Sequence, residues 1–333
     1  MLGYRNKTAV RNRRLPRLFY VMLFSIIFFA HQIFASDAPR FFRLATGLAN
    51  GSYFNVGAVI ANIISVPEGS RPCAQGGPCG VPGLLAVAQT TQGSLENLYL
   101  LKDGQVEAAL IQADIASAAF TGTKPFTGKP FPELRLLTAL YPETLHLVVR
   151  ADSTITNIKA LSGRRIGIGE RLSGTTVAAE HLLAILGVRN YTPDTRRTDL
   201  ALQALLKKSL DAVIIMGGDP IPMLVATTEK NKLRLLALSR REQDRLLQDF
   251  PEAMPVSITS DMYNGITASD GIAIPVLLAV RADLDSATVK AIATALHRGE
   301  SLAALAQVHP LAGSLIGKDQ AYSSIPLHSA LKE

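Results

Sequence analysis

R-L-A-T-G-L-A-N-G-S-Y-F-N-V-G, from Arg43 to Gly57, reads as a short strand that empties into a glycine-bearing loop and then a helix. Leu44 and Ala45 end the strand, Thr46 and Gly47 open the loop, and Asn50, Gly51 and Ser52 lead to apolar positions at helical spacing from Tyr53 onward. Glycines let a backbone approach a guest closely, and the first turn of a helix has free N–H groups that suit an anion. Similar wording returns at residues 90–97 and 167–177 and, more loosely, at 217–222. The repetition predicts several loop walls around one cleft for a small anionic or polar molecule. Ligands usually meet α/β sheets at the carboxyl ends of strands.

The chain has 333 residues, enough for a sizeable core and, by length, for two domains. Its formal net charge of +7 is unevenly placed. Residues 1–35 hold six of the 34 basic residues and no acid, which leaves 28 bases against 27 acids, a net +1, in the remainder. Nucleic acid is therefore not implied. The basic start is followed by an apolar run over 18–30 and by Ile33-Phe34-Ala35, a small residue at a possible cleavage site. This is the pattern of an export signal over residues 1–35, with a retained anchor or a twin-arginine route through Arg13-Arg14 as alternatives. The expected location is the periplasm. Cys73 and Cys79, the only cysteines, stand in a Gly- and Pro-rich segment. In an oxidising compartment this suits a small disulfide loop, whereas two thiols without a nearby His make a weak metal site.

Along the rest of the chain short apolar strands alternate with amphipathic helices. Strands are expected at 41–45, 84–89, 108–111, 134–140, 145–149, 165–169, 211–215 and 233–238. Tyr141-Pro142-Glu143 marks the carboxyl end of the fourth strand, 134–140, and 271–280, interrupted at Pro275, is expected to return the chain to the first domain. The alternation predicts an α/β protein with a mainly parallel sheet in each of two lobes and a cleft between them. The lobe boundaries are expected at 40–145 plus 273–333, and 146–272.

Each candidate site residue has a structural reading beside its binding one. Gly47, Asn50, Gly51, Ser52 and Tyr53 either cap a helix or face the guest, and Gly93, Ser94 and Asn97 carry the same choice. Gln112 and Asp114 follow a hydrophobic strand, where a polar interruption needs satisfied hydrogen bonds. Ser173, Gly174, Thr175 and Thr176 form a matching loop from the second half, with Arg171 just before them as a partner for a carboxylate. Tyr141 offers a ring to the guest or to a hinge, and Gly217 and Gly218 follow a later strand. Enzyme signatures are missing: there is no H-E-x-x-H, no G-x-S-x-G and no complete G-x-x-x-x-G-K-[ST]. His146 reads as strand packing, and the six histidines form no metal-ligand cluster.

Taken together, R-L-A-T-G-L-A-N-G-S-Y-F, T-T-Q-G-S-L-E-N-L, A-L-I-Q-A-D-I-A, L-Y-P-E and S-G-T-T resemble the TAXI family over roughly residues 40–328. These are periplasmic solute-binding proteins of tripartite ATP-independent (TRAP) transporters. The resemblance implies a two-lobed venus-flytrap fold that closes on a small organic anion or amino acid and delivers it to an ion-gradient-driven inner-membrane permease. A binding protein without a cofactor is expected, as a monomer, and no residue cluster in the sequence requires a bound metal. By position it carries over to Gly47, Gly51, Ser52 and Tyr53, to Gly93 and Ser94, to Gln112 and Asp114, to Ser173, Gly174 and Thr175, and to Gly217 and Gly218. Leu48 and Ala49 thin the glycine-rich opening, Gln92 replaces a typical glycine, and Glu170-Arg171-Leu172 stands where the family often has Ala-Pro-Gly. These departures bear on the ligand. A lyase-like enzyme on the same scaffold, or a periplasmic sensor or adaptor, is the alternative function.

Overall fold

The computed structural model describes residues 40–228, 233–318 and 323–332. The export-signal reading lies outside these residues. Strand β1 (Arg40–Ala45) leads through the glycine loop to helix α1 (Ser52–Ile64). The small strands β2 (Ser65–Val66) and β3 (Val81–Pro82) bracket the cysteines. Then come β4 (Leu84–Gln89), α2 (Ser94–Lys102), β5 (Ala108–Gln112), α3 (Ala113–Thr121) and the 17-residue β6 (Leu134–Arg150). The next run is β7 (Arg165–Gly167), α4 (Gly174–Ile185), β8 (Thr192–Asp194), α5 (Thr198–Leu206), β9 (Ala212–Gly217) and α6 (Pro222–Thr228). It is followed by β10 (Leu233–Leu235), α7 (Arg240–Asp249), β11 (Met254–Ile258), β12 (Ser269–Arg281), α8 (Ser286–Leu296) and α9 (Gly299–Val308).

Ten strands form one sheet in the order β4-β1-β5-β12-β6-β9-β7-β8, with β10 beside β6 and β11 beside β12. The expected parallel pairing holds at the flanks, where β1 pairs with β4 and β5, and β7 with β8 and β9. The centre is antiparallel: β12 pairs with β5, β6 and β11, and β6 with β9 and β10. The sheet is thus mixed rather than mainly parallel. Strand-helix alternation forecasts local crossovers, but β12 enters between β5 and β6 from far along the chain, and its direction reverses theirs.

The expected break at Tyr141-Pro142-Glu143 is absent. β6 runs through it, because Pro142 lies opposite Pro275 of β12, so the two residues without an amide proton share one rung. Alternation along the buried strands sorts the core into two faces. Ala45, Ala109, Ile111, Leu277 and Ile214 belong to a cluster that covers one face along its length. On the other face the core is divided: Leu44, Leu110 and Val276 pack with α1 and α8, while Val213 and Ile215 pack with α5 and α6. Cys73 and Cys79 are joined, with Cα atoms 4.8 Å apart, as the spacing suggested. Among the described residues no helix is long and apolar enough to cross a membrane.

Candidate functional site

The amino ends of α1, α2 and α4 converge on the carboxyl ends of β5 and β9 and the middle of β6, around a cavity of about 100 Å³. Two glycines permit the convergence. Gly93 has φ 122°, a left-handed conformation that side chains resist, and sits against Ser173. Gly174 faces Gln112 so closely that a Cβ would stand 1.7 Å from its Oε1. The two segments are also tied by backbone: the N–H groups of Leu95 and Glu96 donate to the Leu172 carbonyl at 3.1 and 3.2 Å. Two orphan donors of α2 are thereby satisfied by the loop before α4.

A hydrogen-bonded chain lines one wall. Ser94 Oγ accepts from the Gln112 amide at 3.1 Å and lies 3.1 Å from Tyr53 Oη. Tyr53 donates onward to Glu143 Oε2 at 3.2 Å, and Gln112 Nε2 donates to the same oxygen at 3.0 Å. Burial pushes the Glu143 carboxyl up to about 8; the Tyr53 and Gln112 hydrogen bonds oppose this and the neighbouring Asp114 adds to it. Burial likewise raises the Tyr53 hydroxyl well above its ordinary value, with Glu143 and Tyr141 contributing. Gln112 Oε1 is buried and meets no donor among the described residues. The second acid, Glu170, is committed elsewhere: its carboxylate accepts from the Thr198 amide at 2.8 Å and from the Thr198 hydroxyl at 3.3 Å, capping α5 from a distance. Among the described lining residues none is Lys, Arg or His.

Of the residues singled out from the sequence, Gly47, Gly51, Ser52, Tyr53, Gly93, Ser94, Gln112, Ser173, Gly174, Thr175 and Gly217 are brought together around this cavity. The others are not. Asn50 is exposed and borders a neighbouring outer groove of about 630 Å³. Asn97 braces the interior, donating to the carbonyls of Thr46 and Leu110 and accepting from Thr91. Thr176 is buried and donates to carbonyls of the preceding loop, closest to that of Glu170 at 2.6 Å. Asp114 sits in the first turn of α3, where burial raises its carboxyl to about 7, Glu252 adds to this and the Ile115 amide opposes it. Arg171 is exposed and apart from the cavity. Tyr141 is fully buried against the ring of His309, centroids 4.8 Å apart, and Gly218 packs against the same two rings.

Sequence reasoning missed Glu143, Glu170 and Thr198 as cavity residues, together with the apolar Ile215, Met216, Ile221 and Met223. Glu143 carried a usable signal, an acid inside an apolar run, the criterion that had found Gln112. Behind the apolar wall, Tyr263 Oη donates to Asp219 at 2.7 Å, accepts from the Ile221 amide at 2.9 Å and lies 3.1 Å from His146 Nε2. Burial raises the Asp219 carboxyl, but His146, Thr144 and Tyr263 outweigh it, so the net shift is downward. This cluster holds residues 217–221 in place. His146, read as packing, is a buried polar brace. Among the described residues no group of His, Cys, Asp or Glu is arranged to hold a metal ion.

The fold is that of an extracytoplasmic solute-binding protein. A periplasmic binding protein, BugD, superimposes with a TM-score of 0.50 at 16% identity, covering 81% of this chain and 87% of its own. A TctC solute-binding protein from Polaromonas gives a TM-score of 0.45 at 16% identity, covering 87% of this chain and 97% of its own. The model of the NMT1-like family matches residues 44–332, and the chain belongs to the NMT1-like family.

Proposed function

We propose that this protein captures a small organic anion or amino acid in the periplasm and delivers it to a TRAP permease of the inner membrane, as the resemblance to TAXI proteins implies. The observation that carries the reading is the meeting of Gly93-Ser94 with Ser173-Gly174 across a polar cavity at three helix amino ends. Such a constellation binds and releases a guest without bond chemistry. In this reading residues 40–145 with 273–333 form one lobe and 146–272 the other, and the cavity lies in the cleft between them. The guest favours the closed population by contacting both walls at once. Ser94, Ser173 and Thr175 provide polar contacts, Gly47 and Gly51 allow close backbone approach, and Tyr53 covers the guest.

The test is a thermal-shift and calorimetric screen of the purified protein against amino acids, 2-oxo acids, dicarboxylates and short organic acids. A ligand of the native state raises apparent stability in proportion to its concentration over Kd. Ser94→Ala is expected to weaken binding of the ligand so found by about tenfold, the loss of one hydrogen bond to the guest together with its support of Tyr53. A variant with unchanged affinity removes Ser94 from the site. A compound recovered with altered mass replaces solute capture with catalysis.

A further inference from the structure

At Gln112 and Glu143 the cavity wall offers acceptors where a carboxylate-binding wall would offer donors. We infer that the guest is held by a protonated primary amine, which donates to the Glu143 carboxylate and to Gln112 Oε1, so that the site selects amine-bearing solutes over simple organic anions. This rests on the solute-capture reading and narrows its ligand class.

Three observations converge on it. Glu143 is buried and presents its carboxyl to the cavity beside Gln112, with Gln112 Nε2 3.0 Å from Oε2. Gln112 Oε1, on a side chain 1% exposed, has no donor, and a buried acceptor left unpaired is costly until something donates to it. No basic side chain among the described lining residues balances Glu143, and Glu170 adds a second acid, already tied to Thr198. A simple anion would have to enter beside two carboxyl groups with no basic side chain among the described lining residues to balance them. An ammonium group instead supplies the charge and the donors that the Gln112–Glu143 wall lacks.

Binding then moves a proton. The groups around Glu143 are Tyr53 of α1, Tyr141 of β6 itself, with His309 stacked behind it, Asp114 of α3 and Glu170 on the far wall. Asp114 disfavours an ionised Glu143 and the Tyr53 hydrogen bond favours it, but burial outweighs that bond and in the empty protein keeps Glu143 protonated up to about pH 8. The incoming ammonium keeps its own proton, and Glu143 releases its proton to solvent. Affinity therefore falls about tenfold for each pH unit below 8, and nearly one proton per site is released at pH 7.

The experiment is calorimetry at pH 6, 7 and 8, in buffers of low and high ionisation enthalpy. One set of probes is glycine, L-alanine, L-serine, 4-aminobutyrate and ethanolamine; the other is acetate, propionate, lactate and succinate. Binding confined to the first set, with proton release and the stated pH slope, is the expected result. Ethanolamine binding alongside glycine assigns the amine alone, and glycine without ethanolamine assigns an amino acid; both support the inference. Glu143→Gln, which keeps an acceptor for Tyr53 and Gln112, is expected to lose at least 100-fold in affinity and to abolish proton release while melting no lower than the wild-type protein at each pH. Binding of the deaminated acids as tight as the amines, or amine binding without proton release, overturns the inference and leaves solute capture standing. Silence from both sets overturns both.

Discussion

Asn97 and Glu143 show how far single residues can be read. Both are polar and buried, yet one sustains the interior and the other faces the cavity. Asn97→Ala would remove a donor from the Leu110 carbonyl, leave the Thr46 carbonyl with the Thr91 hydroxyl at 3.0 Å, and take away that hydroxyl's shorter acceptor, at about 1–3 kcal/mol for each buried group left unpaired. The expected outcome in a urea melt is a loss of about 3 kcal/mol, with ligand affinity of the folded fraction nearly unchanged. Unaltered stability with lost binding would return Asn97 to the site. Glu143 has the opposite signature. Its folded-state value near 8 lies above that of an exposed carboxyl, so folding favours the protonated form. That contribution is complete below the ordinary carboxyl range, declines as pH rises above it, and is gone beyond about pH 8. The empty protein should lose stability over that window, and Glu143→Gln should flatten the loss; Asp114, raised to about 7, leaves a remainder of the same sign. Ser94 and Gln112 were legible because loop-then-helix wording and a polar break in an apolar strand both mark a strand's carboxyl end. Asn97 was misplaced because spacing from Ser94 does not reveal which face of α2 turns to the sheet. Glu143 was taken for a strand terminus since Pro142 precedes it.

Elements were more legible where their cause is local. β4 follows the apolar run at 84–89, α1 follows its apolar stripe, and the Cys73–Cys79 link follows the spacing of its two thiols. The long central strands were not, because the partner that lets Pro142 stay within β6 is Pro275, more than a hundred residues away. The disulfide element illustrates the local case. It closes a short turn between β2 and β3, beside the parallel pairing of those strands in a two-stranded sheet. A loop of this length restrains the unfolded chain by about 2 kcal/mol in the chain-entropy account. Cys73→Ser with Cys79→Ser should therefore cost about that much in a denaturant melt and leave solute binding intact, since neither cysteine borders the cavity. Loss of binding in the folded double variant would connect this turn to the site.

At the scale of the whole molecule, one sheet threads both halves while the core on one of its faces divides in two. The proposed motion uses that arrangement: β6 and β12 continue across, and the loops before α2 and α4 meet or separate around a guest. Gly174 is the point where they meet most closely. A methyl there would collide with Gln112 Oε1 and come within 3.0 Å of Ser94 Oγ, so Gly174→Ala cannot adopt the observed contact without moving one wall. The residue begins α4, where alanine suits the backbone better than glycine does, so the fold should survive and even gain slightly. The expected result is a stable protein whose ligand affinity drops at least tenfold, because contacts to the two walls are no longer made together. Small-angle scattering separates this from local damage. With saturating ligand the wild-type radius of gyration should contract, whereas the variant should keep the larger value at every ligand concentration. Equal contraction in both proteins would show that the Gly93-Ser94 and Ser173-Gly174 contact is not what closure requires, and would leave capture to a pocket that forms within one half of the sheet.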